Sequence, residues 1–290
     1  MSALAFIGLA LTASIFLAVL AVGMRVAPAD LRYLFGRPSL LLRSLLAMNV
    51  LAPVIAVSIC KMFSLHPAVI AALVTLAVAP VGSLFSQAML PLVAPGNAGY
   101  ARGLFFTSIV LSVVLTPLTV ELMQVIFGGD VHVNPLSVAE VVVGSVLLPL
   151  GIGLTIARWW PAATRWNVVI QTVSSVVLAV SSVALLVIAW SRLGLVIQEG
   201  TFTAITITTL VGLALGHFLG GPGEDDRTVL AFATVSRHPG VAIVVAGLMD
   251  EPLAPIGVLL AVIVSEIAVA PYQQWRKRLR ATGLTTRGTR

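Results

Sequence analysis

Charge is what this chain has least of. Only 10% of its 290 residues are charged, against 59% hydrophobic, and the mean hydropathy is +1.07. A soluble globule cannot hide so much apolar side chain behind so little polar surface, so the chain needs lipid as solvent and reads as an all-α polytopic membrane protein. Cysteine is nearly absent too. Cys60, alone in an apolar run, excludes a disulfide framework and a cysteine-rich metal site and reads as a small packing residue. No His/Cys/Asp cluster has metal spacing, no glycine loop cradles phosphate, and Ser236 and His238 are too close along a helix to face each other as parts of a triad. The sequence therefore calls for no metal, no cofactor and no enzyme. The net charge of +6 does not call for nucleic acid either, because the basic residues lie in short loops and in a tail carrying Arg276, Lys277, Arg278 and Arg280.

Apolar runs between charged or Pro/Gly-rich interruptions predict about nine transmembrane helices: roughly 2–24, 38–62, 67–93, 98–127, 136–159, 166–191, 200–220, 227–249 and 252–273. The first has no basic lead-in or cleavage site and reads as a retained helix. Odd parity puts the termini on opposite sides. Arg25, Arg32, Arg37 and Arg43 around the first loop, Arg158 and Arg165 in the fifth, and the basic tail would then share one side, so the positive-inside bias predicts an outside N-terminus and a cytoplasmic C-terminus in the cell inner (plasma) membrane. Residues 1–275 form a single transmembrane domain, and 276–290 a solvated basic tail with a weak attraction to anionic lipid.

Two interruptions fall at membrane depth. One is Ser236-Arg237-His238-Pro239-Gly240, where Arg237 is a lone guanidinium in an apolar run. An Arg at the bilayer centre costs about 2.5–3.5 kcal/mol on insertion scales, so it marks a functional position with a partner to be found. Pro239 frees carbonyls that cannot face lipid. The other lies in the uncharged stretch 67–101, at Pro80-Val81-Gly82-Ser83 and Ser86-Gln87, with Pro91 and Pro95-Gly96-Asn97 beyond. Paired discontinuous helices point to a transporter's midplane site.

The order of Val22-Gly23-Met24, Pro28-Ala29-Asp30-Leu31, Phe35-Gly36-Arg37-Pro38, Asn49 to Pro53, Ala79-Pro80 to Gln87, Gly96-Asn97 and then Ala233 to Ala242 resembles the bile acid:sodium symporter (BASS) family over most of the chain. The resemblance implies an inverted-repeat fold with two broken crossing helices. It also implies a panel of about 2–24, 136–159 and 166–191, and a core of about 38–127 and 200–273. Function follows as secondary transport (symport in the family) of a small organic anion by alternating access. Substrate-binding candidates are Arg237, His238 and Ser236 in the second break, Ser83, Ser86 and Gln87 in the first, and Asn49 on the second span.

The departures bear on coupling. Sodium-coupled members carry Glu, then Gln-Asn before Ser-Gly, in the second crossover; here those positions read Ala233, Arg237-His238 and Pro239-Gly240. The first crossover usually offers Thr-Ala-Ser-Asn, against Ser83 to Gln87 here, and the helix after it presents Ala101 and Phe105 where the family supplies hydroxyls. A hard cation needs several oxygens, and a neighbouring guanidinium repels it. Arg237 then either replaces the cation with a permanent charge or holds the substrate anion. Its expected counter-charge is Glu266, with Glu121 as an alternative that could equally be interfacial and Glu140 at a helix start; His238 serves either proton coupling or a structural hydrogen bond. Sodium stays open as a coupling ion against the evidence of these positions. The rivals are a sodium-coupled symporter of the same family, a passive uniporter or channel, and an enzyme on a lipid-linked substrate.

Overall fold

The computed structural model describes residues 3–25, 28–82, 98–127 and 135–281, all helices and short connections. We label the helices α1 (Ala3–Gly23), α2 (Pro28–Phe35), α3 (Pro38–Met62), α4 (Pro67–Val78), α5 (Ala98–Phe127), α6 (Leu136–Trp159), α7 (Asn167–Ala189), α8 (Thr201–Leu219), α9 (Glu224–Val235), α10 (Pro239–Ala246) and α11 (Ala254–Ala281). Proline supplies the start of several: Pro38, Pro67 and Pro239 sit in the first turn, where the missing N–H costs nothing. Helices α3 and α6 each carry a π-helical turn, at Ala47–Leu51 and Val143–Leu147.

Seven helical stretches among the described residues are long and apolar enough to cross a membrane: Ala5–Gly23, Pro38–Met62, Gly99–Thr119, Leu136–Trp159, Pro161–Val196, Thr201–Leu219 and Ala254–Ala281. The other two expected spans are the interrupted ones. Run 227–249 is split into α9 and α10. Run 67–93 begins as α4, and its second half lies outside the described residues.

Helix α1 packs on α6 and α7, while α4 packs on α11, α10 and α3, and α8 packs on α9 and α11. The seam between α1 and α7 is polar. Asn167, Gln171, Ser174 and Ser181 are buried along one stripe of α7, with Asn167 Nδ2 donating to Ala21 O and Ser174 Oγ to Ser14 O at 2.8 Å. In lipid, where apolar contact alone drives little association, such bonds hold helices together. The approach of α11 to α4 depends on Gly257: a Cβ there would lie 2.2 Å from the Ala68 carbonyl oxygen.

Most of the ion pairs seen among the described residues gather at one end of the bundle. Asp30 on α2 takes two hydrogen bonds from Arg102 at 3.0 and 2.8 Å, and Tyr33 donates to Asp226, which Arg37 approaches at 3.6 Å. Ser44 and Tyr100 share a 2.7 Å hydrogen bond. Glu224, Asp225 and Asp226 occupy the first turn of α9, where the helix dipole favours acids. Arg276 donates to Glu224 Oε2 at 2.7 Å and to its carbonyl at 3.0 Å, and Arg280 pairs with Asp225. Burial pulls the Glu224 carboxyl upward, but the hydrogen bond and charge of Arg276, with Arg227 behind them, outweigh it and hold the group below its ordinary value. The basic stretch from residue 276 is thus no solvated tail at its start: α11 runs to Ala281, and Arg276 is fully buried. Its arginines find acids at the start of α9, and folding them in satisfies both sets of charge.

The same contacts order the ends. Gly23 meets Gly153, and Asn167 reaches Ala21, so the end of α1 lies beside the end of α6 and the start of α7. Arg37 and Arg280 both reach the start of α9. The three basic stretches therefore lie at one end, and the start of α1 lies at the other.

Candidate functional site

Two helices stop in mid-bundle and their ends meet. Helix α4 closes at Val78 and the chain runs extended through Ala79; α9 closes at Val235 and turns at Ser236. The two segments pair as an isolated antiparallel bridge between Val81 and Arg237, with Gly82 N–H donating to Ser236 O and His238 N–H to Pro80 O, both at 2.8 Å. Gly82 permits this: a Cβ would sit 2.9 Å from the Arg237 carbonyl oxygen. Helix α5 meets further freed groups, since Ser108 Oγ accepts from Val81 N–H at 3.1 Å and Thr116 donates to Val78 O at 3.0 Å. Irregular backbone at this depth survives because it is satisfied inside the protein.

Arg237 fills the centre and is 7% exposed. Its guanidinium donates from Nε to Thr234 O at 3.0 Å, from Nη1 to Ala79 O at 3.1 Å and from Nη2 to Met48 O at 2.6 Å. Thr234 is in the last turn of α9, Ala79 closes α4, and Met48 lies in the π-helical turn of α3. Two of the oxygens thus sit at helix C-termini, the negative ends of the dipoles, and the third at a π turn, where the regular ladder is broken. A cation belongs at such a point.

These carbonyls replace the acid expected from sequence. Glu266 lies on an exposed part of α11 and Glu121 on an exposed part of α5, and among the described residues neither pairs with Arg237. The C-terminal ends of α4 and α9 and the π turn of α3 supply the negative potential themselves. Of the other expected residues, His238 is buried and caps α10, with Nδ1 accepting from Val241 N–H at 3.4 Å; His66 caps α4 in the same way. Ser236 Oγ and Asn49 Nδ2 are buried near the crossing without hydrogen-bond partners among the described residues. Ser83, Ser86 and Gln87 fall outside those residues.

A sequence profile described as the Sodium Bile acid symporter family matches residues 12–199. The chain belongs to that family. It is a multi-pass membrane transporter, not an enzyme. A search of curated proteins returns no match.

The family's description names sodium, and the second break is where its ligands would stand. Ala233 offers only a methyl group, and the carbonyls of Thr234, Ala79 and Met48 each hold an N–H of Arg237, whose charge would repel a sodium ion brought to the same oxygens. Among the described residues no three or more His, Cys, Asp or Glu side chains are grouped so that they could hold a metal ion. The second break does not fit a sodium ion. Sequence reading missed the carbonyl acceptors and the hydroxyls of Ser108 and Thr116. Backbone oxygens leave no residue signature, whereas a Ser and a Thr eight positions apart on α5 lie near one face and could have been noticed.

Proposed function

We propose that this protein is a secondary transporter that moves a small organic anion by alternating access without sodium, with Arg237 as its permanent central cation. The observation that carries the reading is the guanidinium held by carbonyls of three separate elements where the ends of α4 and α9 meet. A covalently fixed cation cannot be released to the far side, so a sodium gradient has nothing to drive through this position. His238 serves as the cap of α10, which supports structural use over proton exchange.

The packing supports a panel of α1, α6 and α7 and a core of α3 to α5 and α8 to α11, with the nine-span inverted-repeat topology behind it. Alternating access is then a movement of core against panel at the contact of α1 with α10. The basic end of the bundle faces the cytoplasm of the cell's inner membrane. A tag at the N-terminus should be labelled from outside intact cells, and one at the C-terminus only after permeabilisation. Equal access to both would overturn the orientation.

Reconstituted into liposomes loaded with unlabelled acid, the protein should take up labelled small carboxylates by counterflow at the same initial rate in sodium, potassium or choline at fixed pH. A steep sodium dependence would refute the proposal. Equilibration without counterflow would instead identify a channel.

A further inference from the structure

Beside Arg237, helices α3, α4, α8, α9 and α11 leave a half-open cleft with about 480 Å³ of empty space, its mouth included. One wall is apolar, with Ile55, Leu73 and Leu76; the other carries Thr208, Thr209, Thr234 and Ser265, and Arg237 also lines it. Thr208 gives its hydroxyl hydrogen to Ala204 O at 2.8 Å, Thr209 to Ile205 O at 2.9 Å and Thr234 to Leu230 O at 2.8 Å. With the Thr209 hydrogen so used, the 2.9 Å contact of Thr209 with Ser265 takes the hydrogen of Ser265. Each hydroxyl has one hydrogen and two lone pairs, so these four groups keep lone pairs, and no hydrogens, for a ligand. Arg237 is the opposite. A guanidinium has five N–H bonds, and three are used, which leaves one on Nη1 and one on Nη2 without an acceptor among the described residues.

We infer that this cleft binds a small carboxylate that also carries a hydroxyl or ammonium donor, its carboxylate on the free N–H bonds of Arg237 and its donor on the oxygens of Thr208 and Ser265. The inference rests on Arg237 being the site's fixed cation and adds what lies next to it. A plain fatty acid would satisfy the guanidinium and leave the hydroxyl oxygens without a donor.

The full-length protein in detergent is titrated calorimetrically with matched pairs: 3-hydroxybutyrate against butyrate, and alanine against propionate. The donor-bearing member of each pair should bind about tenfold more tightly, the effect of one added hydrogen bond. In the double variant Thr208→Val with Ser265→Ala the preference should disappear. Equal binding within each pair, no binding of any acid, or a preference that survives the double variant would each overturn the inference. If the double variant does not fold, the wild-type preference still decides. These substitutions leave the carbonyl contacts of Arg237 untouched, so sodium insensitivity persists in the double variant if Arg237 is the fixed cation, whatever becomes of ligand preference. A sodium requirement in the wild type would refute the role of Arg237 and not the cleft chemistry.

Discussion

Arg237→Ala should leave little folded protein. The substitution strands the carbonyls of Thr234, Ala79 and Met48, which no other described side chain reaches. A hydrogen bond from a charged donor contributes about 1.5–3 kcal/mol, so losing three of them, even without full additivity, removes on the order of 4 kcal/mol or more. That is most of the stability of a marginally stable fold. Arg237→Lys keeps the charge but offers a compact ammonium in place of a planar fork, and it cannot reach acceptors on three elements at once. It should fold better than the alanine variant and remain well below the wild type. Size-exclusion profiles and thermal midpoints in detergent measure both, and an alanine variant as stable as the wild type would mean that the guanidinium holds nothing together.

Gly257→Ala should act on the same site from a distance. The new Cβ would stand 2.2 Å from the Ala68 carbonyl oxygen and 2.8 Å from its carbon, both backbone atoms that no rotamer change can move. Helices α11 and α4 must separate, and overpacking of this kind costs about 1–3 kcal/mol or more. Helix α4 delivers Ala79 to Arg237, so transport should fall further than stability alone explains. Comparing the thermal midpoint with counterflow per folded molecule tests this; a variant that matches the wild type in both would show that the helices tolerate the gap.

The sequence announces the position of the site because membrane depth makes a lone Arg followed by Pro conspicuous. It does not announce the partners. An intramembrane cation in a regular helix needs a carboxylate, and Glu266 is the natural candidate on that logic; at a helix break the backbone itself becomes the acceptor, and every residue type has a carbonyl. Asn49 was legible as a neighbour of the site, but the π turn that frees Met48 O was not, although Pro53, just beyond it, withholds an N–H from the helix ladder and was a signal for it. The same limit explains the tail. Arg276 and Arg280 read as solvated charge in one dimension, and the acids that take them stand some fifty residues earlier in Glu224 and Asp225. The stripe from Asn167 through Gln171 and Ser174 to Ser181 was there to be read, at the spacing of one helix face, and passes unnoticed only because its residues are uncharged.

The most direct test of the central claim needs no substrate. The thermal midpoint of the purified wild-type protein is followed as choline chloride is exchanged for sodium chloride at constant ionic strength. An ion that binds the native state at a hundred times its Kd adds about 2.7 kcal/mol of apparent stability, a shift such a measurement registers easily. With Arg237 already occupying the carbonyl cage, the midpoint should not move. A saturable rise specific to sodium would contradict the account, for it would show that the cation this crossing uses is one it can still bind and release.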